Sequence, residues 1–299
     1  MNKNDRFPIK LWGLLVSLSI FWGLNWPIMK AGIEEIAVLT FRGTACVFGG
    51  IGLFLIAKIG KIKIRFPVHE TKRLLIISFF NVFLWNVLVT AGLSYLESGR
   101  TAVLAYTMPV WVVFLSIFVL GEKLTGHRLV GLLLGTAGIA LLLFEDLVVI
   151  YENVLGTALV LGAAFSWATG TVLMKRYPVS LGTTAFVAWQ LLMGGLPILA
   201  GAFIINSDST WTWMGIMCLL YNTFIAMIFC HWAWYKIATN TSAGTAALST
   251  LMIPIIGVLS GMILLGETPR WYEFSALSLV TLAICAVLLP TFLTHFHSK

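Results

Sequence analysis

Along its 299 residues the chain alternates long apolar stretches with short charged clusters. That rhythm predicts ten helices, at roughly 11–31, 36–57, 74–94, 99–120, 128–145, 156–175, 182–205, 212–236, 243–265 and 273–293. Each is near the ~20 residues an α-helix needs to cross the hydrocarbon core. Lipid offers no partner for backbone N–H and C=O groups, so a spanning segment must satisfy them internally, as a helix does. A barrel strand would alternate polar and apolar residues over a shorter length, which is not the pattern here. The expected fold class is an all-α polytopic membrane protein.

The polar and small residues within that rhythm repeat at a spacing of 145. Trp22, Met29 and Lys30 return as Trp167, Met174 and Lys175, and Gly99, Ala102 and Pro109 as Gly244, Ala247 and Pro254. Leu120-Gly121-Glu122 returns as Leu265-Gly266-Glu267, and Leu132, Thr136 and Ile139 as Leu277, Thr281 and Ile284. A constant spacing means two equivalent units with few insertions. Five predicted spans per unit is an odd number, so the second unit enters the membrane from the opposite side. The expectation is ten transmembrane helices as a 5+5 inverted repeat, with a solute site between the halves near the midplane. The expected segments are a tail 1–10, a first repeat 11–145, an outer connecting loop 146–155, a second repeat 156–293 and a tail 294–299.

Composition sharpens this picture. Mean hydropathy is +0.96, with 59% hydrophobic and 10% charged residues, outside the range of soluble domains. The net charge of +7 is a topology signal rather than a nucleic-acid signal. With both termini inside, fifteen of nineteen basic residues face inward: Lys3, Arg6, Lys10, Lys58, Lys61, Lys63, Arg65, Lys72, Arg73, Lys123, Arg128, Lys175, Arg176, Lys236 and Lys299. The outer loops keep only Arg100 and Arg270, and Lys30 and Arg42 sit at helix ends. Loop Lys/Arg bias sets orientation, so both termini are expected in the cytoplasm of a plasma (bacterial inner) membrane. The first span is too long for a signal-peptide core, and Trp22 belongs to the repeat. Cys46, Cys218, Cys230 and Cys285 all fall inside apolar spans without a CxxC pair, which suggests no disulfide framework and no metal site.

Pro109 and Pro254 each lie midway along a span, ten residues after Gly99 or Gly244. A mid-helix proline removes one hydrogen bond and frees the carbonyl four residues earlier, here Ala105 and Thr250. Either a tolerated kink or a hinge satisfies that observation. Glu122 and Glu267 end the fourth and ninth spans, where they can gate the pathway or cap neighbouring helix starts. Gly131-x3-Gly135 with Gly138, and Gly257-x3-Gly261, fit close interhelical contacts.

Two five-helix units, each with Trp-x6-Met-Lys ending its first helix and Gly-x9-Pro-x11-Gly-Glu across its fourth, resemble paired EamA domains of the drug/metabolite transporter superfamily. The resemblance covers about residues 11 to 293. It implies ten helices, an inverted repeat and export or exchange of small metabolites, amino acids and aromatic metabolites among them. It also implies a cavity enclosed by the first, third, fourth, sixth, eighth and ninth helices. The substrate-binding residues expected there are Trp22, Asn25, Trp26, Trp85, Asn86, Tyr106, Trp111, Trp167, Thr171, His231, Tyr235 and Thr250, with Tyr221, Asn222, Trp232 and Trp234 also on those spans. Pro109, Pro254, Glu122 and Glu267 are the expected hinge and gate positions. One departure is visible: Arg42 is answered by Gln190 at a spacing of 148.

With no Asp, Glu, Lys or Arg read at mid-span, the expected cavity is neutral, aromatic and hydrogen-bonding. Aromatic faces can stack on a planar solute or hold an ammonium, and asparagine amides can bind a zwitterion's polar ends. The expected cargo is an amino acid or an aromatic amine, exported by alternating access, with a small molecule and the lipid bilayer as partners, no cofactor and no nucleic acid. A sugar-phosphate or nucleotide-sugar exchanger is the alternative, and it would want Arg or Lys in the cavity. A channel is a further alternative. An intramembrane enzyme would need DxxD, HExxH or paired membrane aspartates, none of which occurs. Oligomeric state is not encoded in any pattern.

Overall fold

The computed structural model describes residues 9–121, 126–145, 154–205, 208–240 and 243–297. The described residues form ten helical rods: α1 Ile9–Glu35, α2 Val38–Ile59, α3 Val68–Tyr95, α4 Ser98–Leu120, α5 Gly126–Glu145, α6 Val154–Arg176, α7 Thr183–Ile205, α8 Trp213–Ile237, α9 Ala243–Leu265 and α10 Trp271–His297. There is no strand among them. Seven rods are long and apolar enough to cross a membrane: α1 to α4 and α6 to α8. Shorter apolar stretches, Leu129–Leu141 and Met252–Leu265, lie in α5 and α9. The exposed surface carries Phe118, Phe203, Ile204 and Ile263, each more than two-thirds exposed, a load that lipid accepts and water does not. The helix limits depart from expectation mainly at the ends: α1 starts at Ile9 and α10 runs to His297, both into segments read as tails.

Three rods are not simple α-helices. α3 begins with a 3-10 turn, Val68–Glu70, and contains a π-helical stretch, Phe79–Leu84. α8 contains a longer π stretch, Asn222–Cys230, and its helix continues to Asn240. Shifting 79–84 by 145 gives 224–229, inside the second stretch, so the widened turn is itself repeated. α4 breaks at Tyr106-Thr107 between Ser98–Ala105 and Met108–Leu120, with Pro109 at the start of the second piece. Its counterpart α9 runs unbroken through Pro254. The two prolines therefore do different work: Pro109 starts a helix, where its missing N–H costs nothing, and Pro254 sits within one.

The repeated Leu-Gly-Glu element has a backbone cause. Gly121 (φ 69°) and Gly266 (φ 68°) hold the left-handed conformation at the ends of α4 and α9. A side chain there would meet its own backbone, so glycine is the residue that stops both helices.

Packing follows the duplication. α1 packs on α8 and α9, while its counterpart α6 packs on α3 and α4. α2 packs on α7, α4 on α9 and α5 on α10, each on its own counterpart. Two of these pairs run antiparallel. Gly43 lies against Leu199 and Gly50 against Leu192, so the α2 and α7 numbers move in opposite directions. Likewise Gly99 lies against Val258 and Ala102 against Gly257. Gly135 meets Val110 and Gly138 meets Leu279, consistent with close contact at those glycines.

At Gly43 an added Cβ would lie 2.7 Å from backbone atoms of Leu199, so the α2–α7 pair would have to separate. Gly43→Val should cost ~1–3 kcal/mol and lower the thermal unfolding midpoint in detergent. Gly13→Val, with nothing within 4 Å, serves as the control. Equal midpoints for the two variants would show that this contact is not tight.

Candidate functional site

The cavity forms where α1, α2, α3, α4, α6 and α8 converge. Four of its walls come from one face of α1: Trp22, Asn25, Trp26 and Met29 have the i, i+3, i+4, i+7 spacing that lines up along a helix. Trp85 and Val89 of α3 add an i, i+4 pair, Tyr106 and Met108 come from the break in α4, Trp167 from α6 and His231 from α8. The space measures about 40 Å³, room for roughly three waters.

Aromatic rings set its shape. Trp22 and Trp167, the same position in the two units, meet edge to face at 6.4 Å and 74°. Trp85 lies 5.1 Å from Trp167, and His231 lies 5.5 Å from Trp22 and 6.1 Å from Trp167. Such tilted and T-shaped pairs put ring edges against ring faces, which fixes the rings without bonding them.

The polar groups are few and partly unsatisfied. Asn25 Oδ1 is buried without a hydrogen-bond partner. His231 Nδ1 lies 2.8 Å from the Ala226 carbonyl, which can only accept, so Nδ1 carries a hydrogen and Nε2 is left without a partner. Asn86 is the counterpart of His231 at the 145 spacing, and its Nδ2 donates to the Val82 carbonyl at 2.6 Å. In each π stretch one carbonyl, Val82 or Ala226, accepts both a backbone N–H and the side chain of Asn86 or His231 just beyond the stretch.

Arg42 corrects the expectation of a neutral cavity. It lies more than a turn inside α2, is 3% exposed, and lines the cavity. Its Nη1 donates to Asn222 Oδ1 at 2.6 Å, while Nε is buried with no partner. The sequence carried the signal, since residue 42 falls inside the predicted span 36–57, but assignment to a helix end hid it. Gln190, its approximate counterpart, is satisfied instead: Tyr235 donates to its Oε1 at 2.8 Å, and its Nε2 lies 3.7 Å from Met174 Sδ. Asn81 Nδ2 donates to the Tyr235 hydroxyl at 3.3 Å. Gln190 is thus engaged with Tyr235 and Met174, whereas Arg42 turns a guanidinium with an unpartnered Nε to the cavity.

Comparison with known proteins gives this arrangement a family. The EamA-like transporter family matches twice, over residues 10–144 and 154–289. The chain belongs to that family. Among EamA-like relatives, the uncharacterized transporter YvbV of Bacillus subtilis is 31% identical over 92% of this chain and 90% of its own. A probable amino-acid metabolite efflux pump of Escherichia coli K12 is 24% identical over 87% and 89% of the two chains. A solved crystal structure shares the fold at TM-score 0.70 and 15% identity, covering 94% of this chain and 98% of that one.

Within the EamA framework the expected site residues divide. Trp22, Asn25, Trp26, Trp85, Tyr106, Trp167 and His231 line the cavity together with Met29, Arg42, Val89 and Met108, which the sequence reading left out. Four others lie off it. Tyr235 donates to Gln190, Asn86 engages Val82 through Nδ2 and leaves Oδ1 unpartnered, Thr171 Oγ1 donates back to the Trp167 carbonyl at 2.8 Å, and Trp111 packs on Phe165 at 5.6 Å with its Nε1 unpartnered. Glu122 lies outside the described residues, as does the side chain of Thr250. The repeated Met-Lys pair divides its labour in α1: Met29 lines the cavity, and Lys30 Nζ donates to the Leu93 carbonyl near the end of α3 at 2.9 Å.

Glu267 caps the start of α4. Its carboxylate accepts from Ser98 N at 2.6 Å, Ser98 Oγ at 2.9 Å and Gly99 N at 3.0 Å, answering donors that a helix start leaves free. The turn at Gly266 aims it there. Beside it, Glu273 accepts from Arg270 N at 2.8 Å and lies 3.7 Å from Arg100, whose guanidinium sits over Tyr272. Burial, and then the neighbouring Glu267 carboxylate, push the Glu97 carboxyl above its ordinary value, against a partial pull downward from Arg100, Arg270 and Lys30.

Glu267→Ala should cost ~0.5–2 kcal/mol through loss of the cap, read as a lower unfolding midpoint, whereas Glu267→Gln should retain part of it. An unchanged midpoint for the alanine variant would deny the capping role. The raised Glu97 value means the packed arrangement favours the neutral acid, so ionised Glu97 opposes it at neutral pH and the opposition fades as pH falls through the raised value. Glu97→Gln should therefore unfold at a higher temperature than wild type at pH 7, and the gap should close on acidification. A gap constant with pH would contradict this.

Proposed function

We propose that this EamA-family chain is a carrier exporting small metabolites, amino acids or aromatic amines, by alternating access between two inverted five-helix halves. In this reading all ten rods cross the membrane, both termini face the cytoplasm of a bacterial inner membrane, and the halves span 11–145 and 156–293. The observation that carries it is the contact between Trp22 and Trp167 in the cavity wall: repeat-equivalent residues that touch there support a pseudo-two-fold axis through the cavity. A cavity on such an axis is open to exchange by symmetric rocking, because the poses of the two halves can be traded at little cost in packing. The antiparallel pairing of α2 with α7 and of α4 with α9 supports the inverted relation. The efflux-pump relative supports an amino-acid metabolite as cargo.

The cavity as it stands is far smaller than the ~300–1,000 Å³ of ligand pockets, so loading requires the walls to part. The break in α4 beside Tyr106 and the two π stretches are the places where helix geometry already departs from a rigid rod, and they are the proposed hinges, with Pro109 at the first. Pro254 and Glu122 remain proposed hinge and gate positions of the second and first halves. Bound solute is held by Trp22, Asn25, Trp26, Trp85, Tyr106, Trp167 and His231.

Protein reconstituted into liposomes loaded with an unlabelled amino acid should accumulate the labelled compound by counterflow, with saturable kinetics. Trp22→Ala and Trp167→Ala should each raise the half-saturating concentration several-fold, in keeping with ~0.5–2 kcal/mol for an aromatic face on an ammonium. Flux that stays linear up to the solubility limit would rule out a carrier. Saturable flux indifferent to both substitutions would move the site elsewhere.

A further inference from the structure

The carrier reading leaves two cargo classes open, amino acids and aromatic amines, and the charge in the cavity wall separates them. Arg42 is a permanent cation at membrane depth, buried, with one neutral partner in Asn222 and an unpartnered Nε. No carboxylate lies within ion-pair distance of it among the described residues. A charge of this kind is expensive to keep in an apolar interior without a counter-ion, and pairing with an anion relieves that cost. The planar guanidinium fork matches a carboxylate in a way that an ammonium cannot exploit.

We infer that Arg42 is the anchor for a carboxylate on the transported solute, so that the cargo is an acid with an apolar or aromatic body and amines without a carboxyl group are rejected. The rest of the wall fits the remainder of such a molecule. Asn25 Oδ1 lacks a donor, which the ammonium of an amino acid supplies, while Trp22, Trp26, Trp85 and Met29 take the side chain. One guanidinium, with one nitrogen already engaged, matches a monoanion. A phosphate monoester would leave part of its charge uncompensated among tryptophans. The inference rests on the carrier reading above.

The test is a competition series that shares one aromatic body: L-phenylalanine, 3-phenylpropionate, phenethylamine and phenyl phosphate, each read by counterflow and by thermal shift of the wild-type protein. L-Phenylalanine and 3-phenylpropionate should compete, with phenethylamine at least ~tenfold weaker, as loss of a charged hydrogen-bonding pair implies. In Arg42→Gln that preference should collapse: half-saturation for the two acids rises at least ~tenfold while phenethylamine changes little, and Arg42→Lys recovers part of it. A merely structural Arg42 would weaken all solutes alike, and that result would overturn the inference. So would a wild type that prefers phenethylamine or phenyl phosphate, a result that needs no variant to fold. Saturable flux of some other solute, with none of the four competing, would overturn this inference and leave the carrier standing; flux that never saturates would remove the carrier itself.

Discussion

One residue position, used twice, meets itself at the centre of the molecule: Trp22 packs on Trp167 at 6.4 Å. That contact joins the first helices of the two halves, and other helices also pair with their counterparts. α2 then finds α7, α4 finds α9 and α5 finds α10, while α1 and α6 take up equivalent sets of neighbours. Where counterparts run antiparallel, small residues set the distance: Gly43 against the Leu199 backbone, Gly257 against Ala102. In lipid, where no hydrophobic force drives one apolar helix onto another, this close approach is the main source of association. The repeat-equivalent pair Trp22 and Trp167 meets in the wall of the cavity.

The symmetry is broken at polar positions. Gln190 closes with Tyr235 and Met174, but Arg42 keeps an unpartnered Nε beside the cavity. α4 breaks at Tyr106 while α9 continues past Pro254. The cluster of Glu267, Glu273 and Arg100 holds the starts of α4 and α10. The duplicated frame therefore carries unequal polar fittings in its two halves.

Much was legible in the residues because the physics concerned is local. Apolar length gave the helices, since lipid forbids any other spanning backbone. The pairing of Leu-Gly-Glu elements gave both helix stops, and Gly121 and Gly266 take the positive φ such a stop requires. Trp22, Asn25 and Trp26 were expected in the site and do line the cavity, and Met29, one turn further along the same face of α1, joins them. Which residues share the cavity depends on depth and direction together. Trp111 and Thr171 lie on the expected helices but outside the cavity lining, as do Asn86, whose Nδ2 bonds the Val82 carbonyl, and Tyr235, bonded to Gln190.

The two π stretches left no mark in hydrophobic periodicity, because a widened turn shifts the face of a helix without changing its composition. Arg42 was set aside as a helix-end charge, and only the packing of α2 against α7 and α8 turns it inward. The amino-acid order alone carried the all-helical class, the glycine stops of two helices and the relation of the two sets, since each is written in local composition or in direct repetition. Tertiary structure decided which side chains share a cavity and which charge is left uncompensated there. Those properties belong to helices far apart in the chain, brought together by contacts that no single segment specifies.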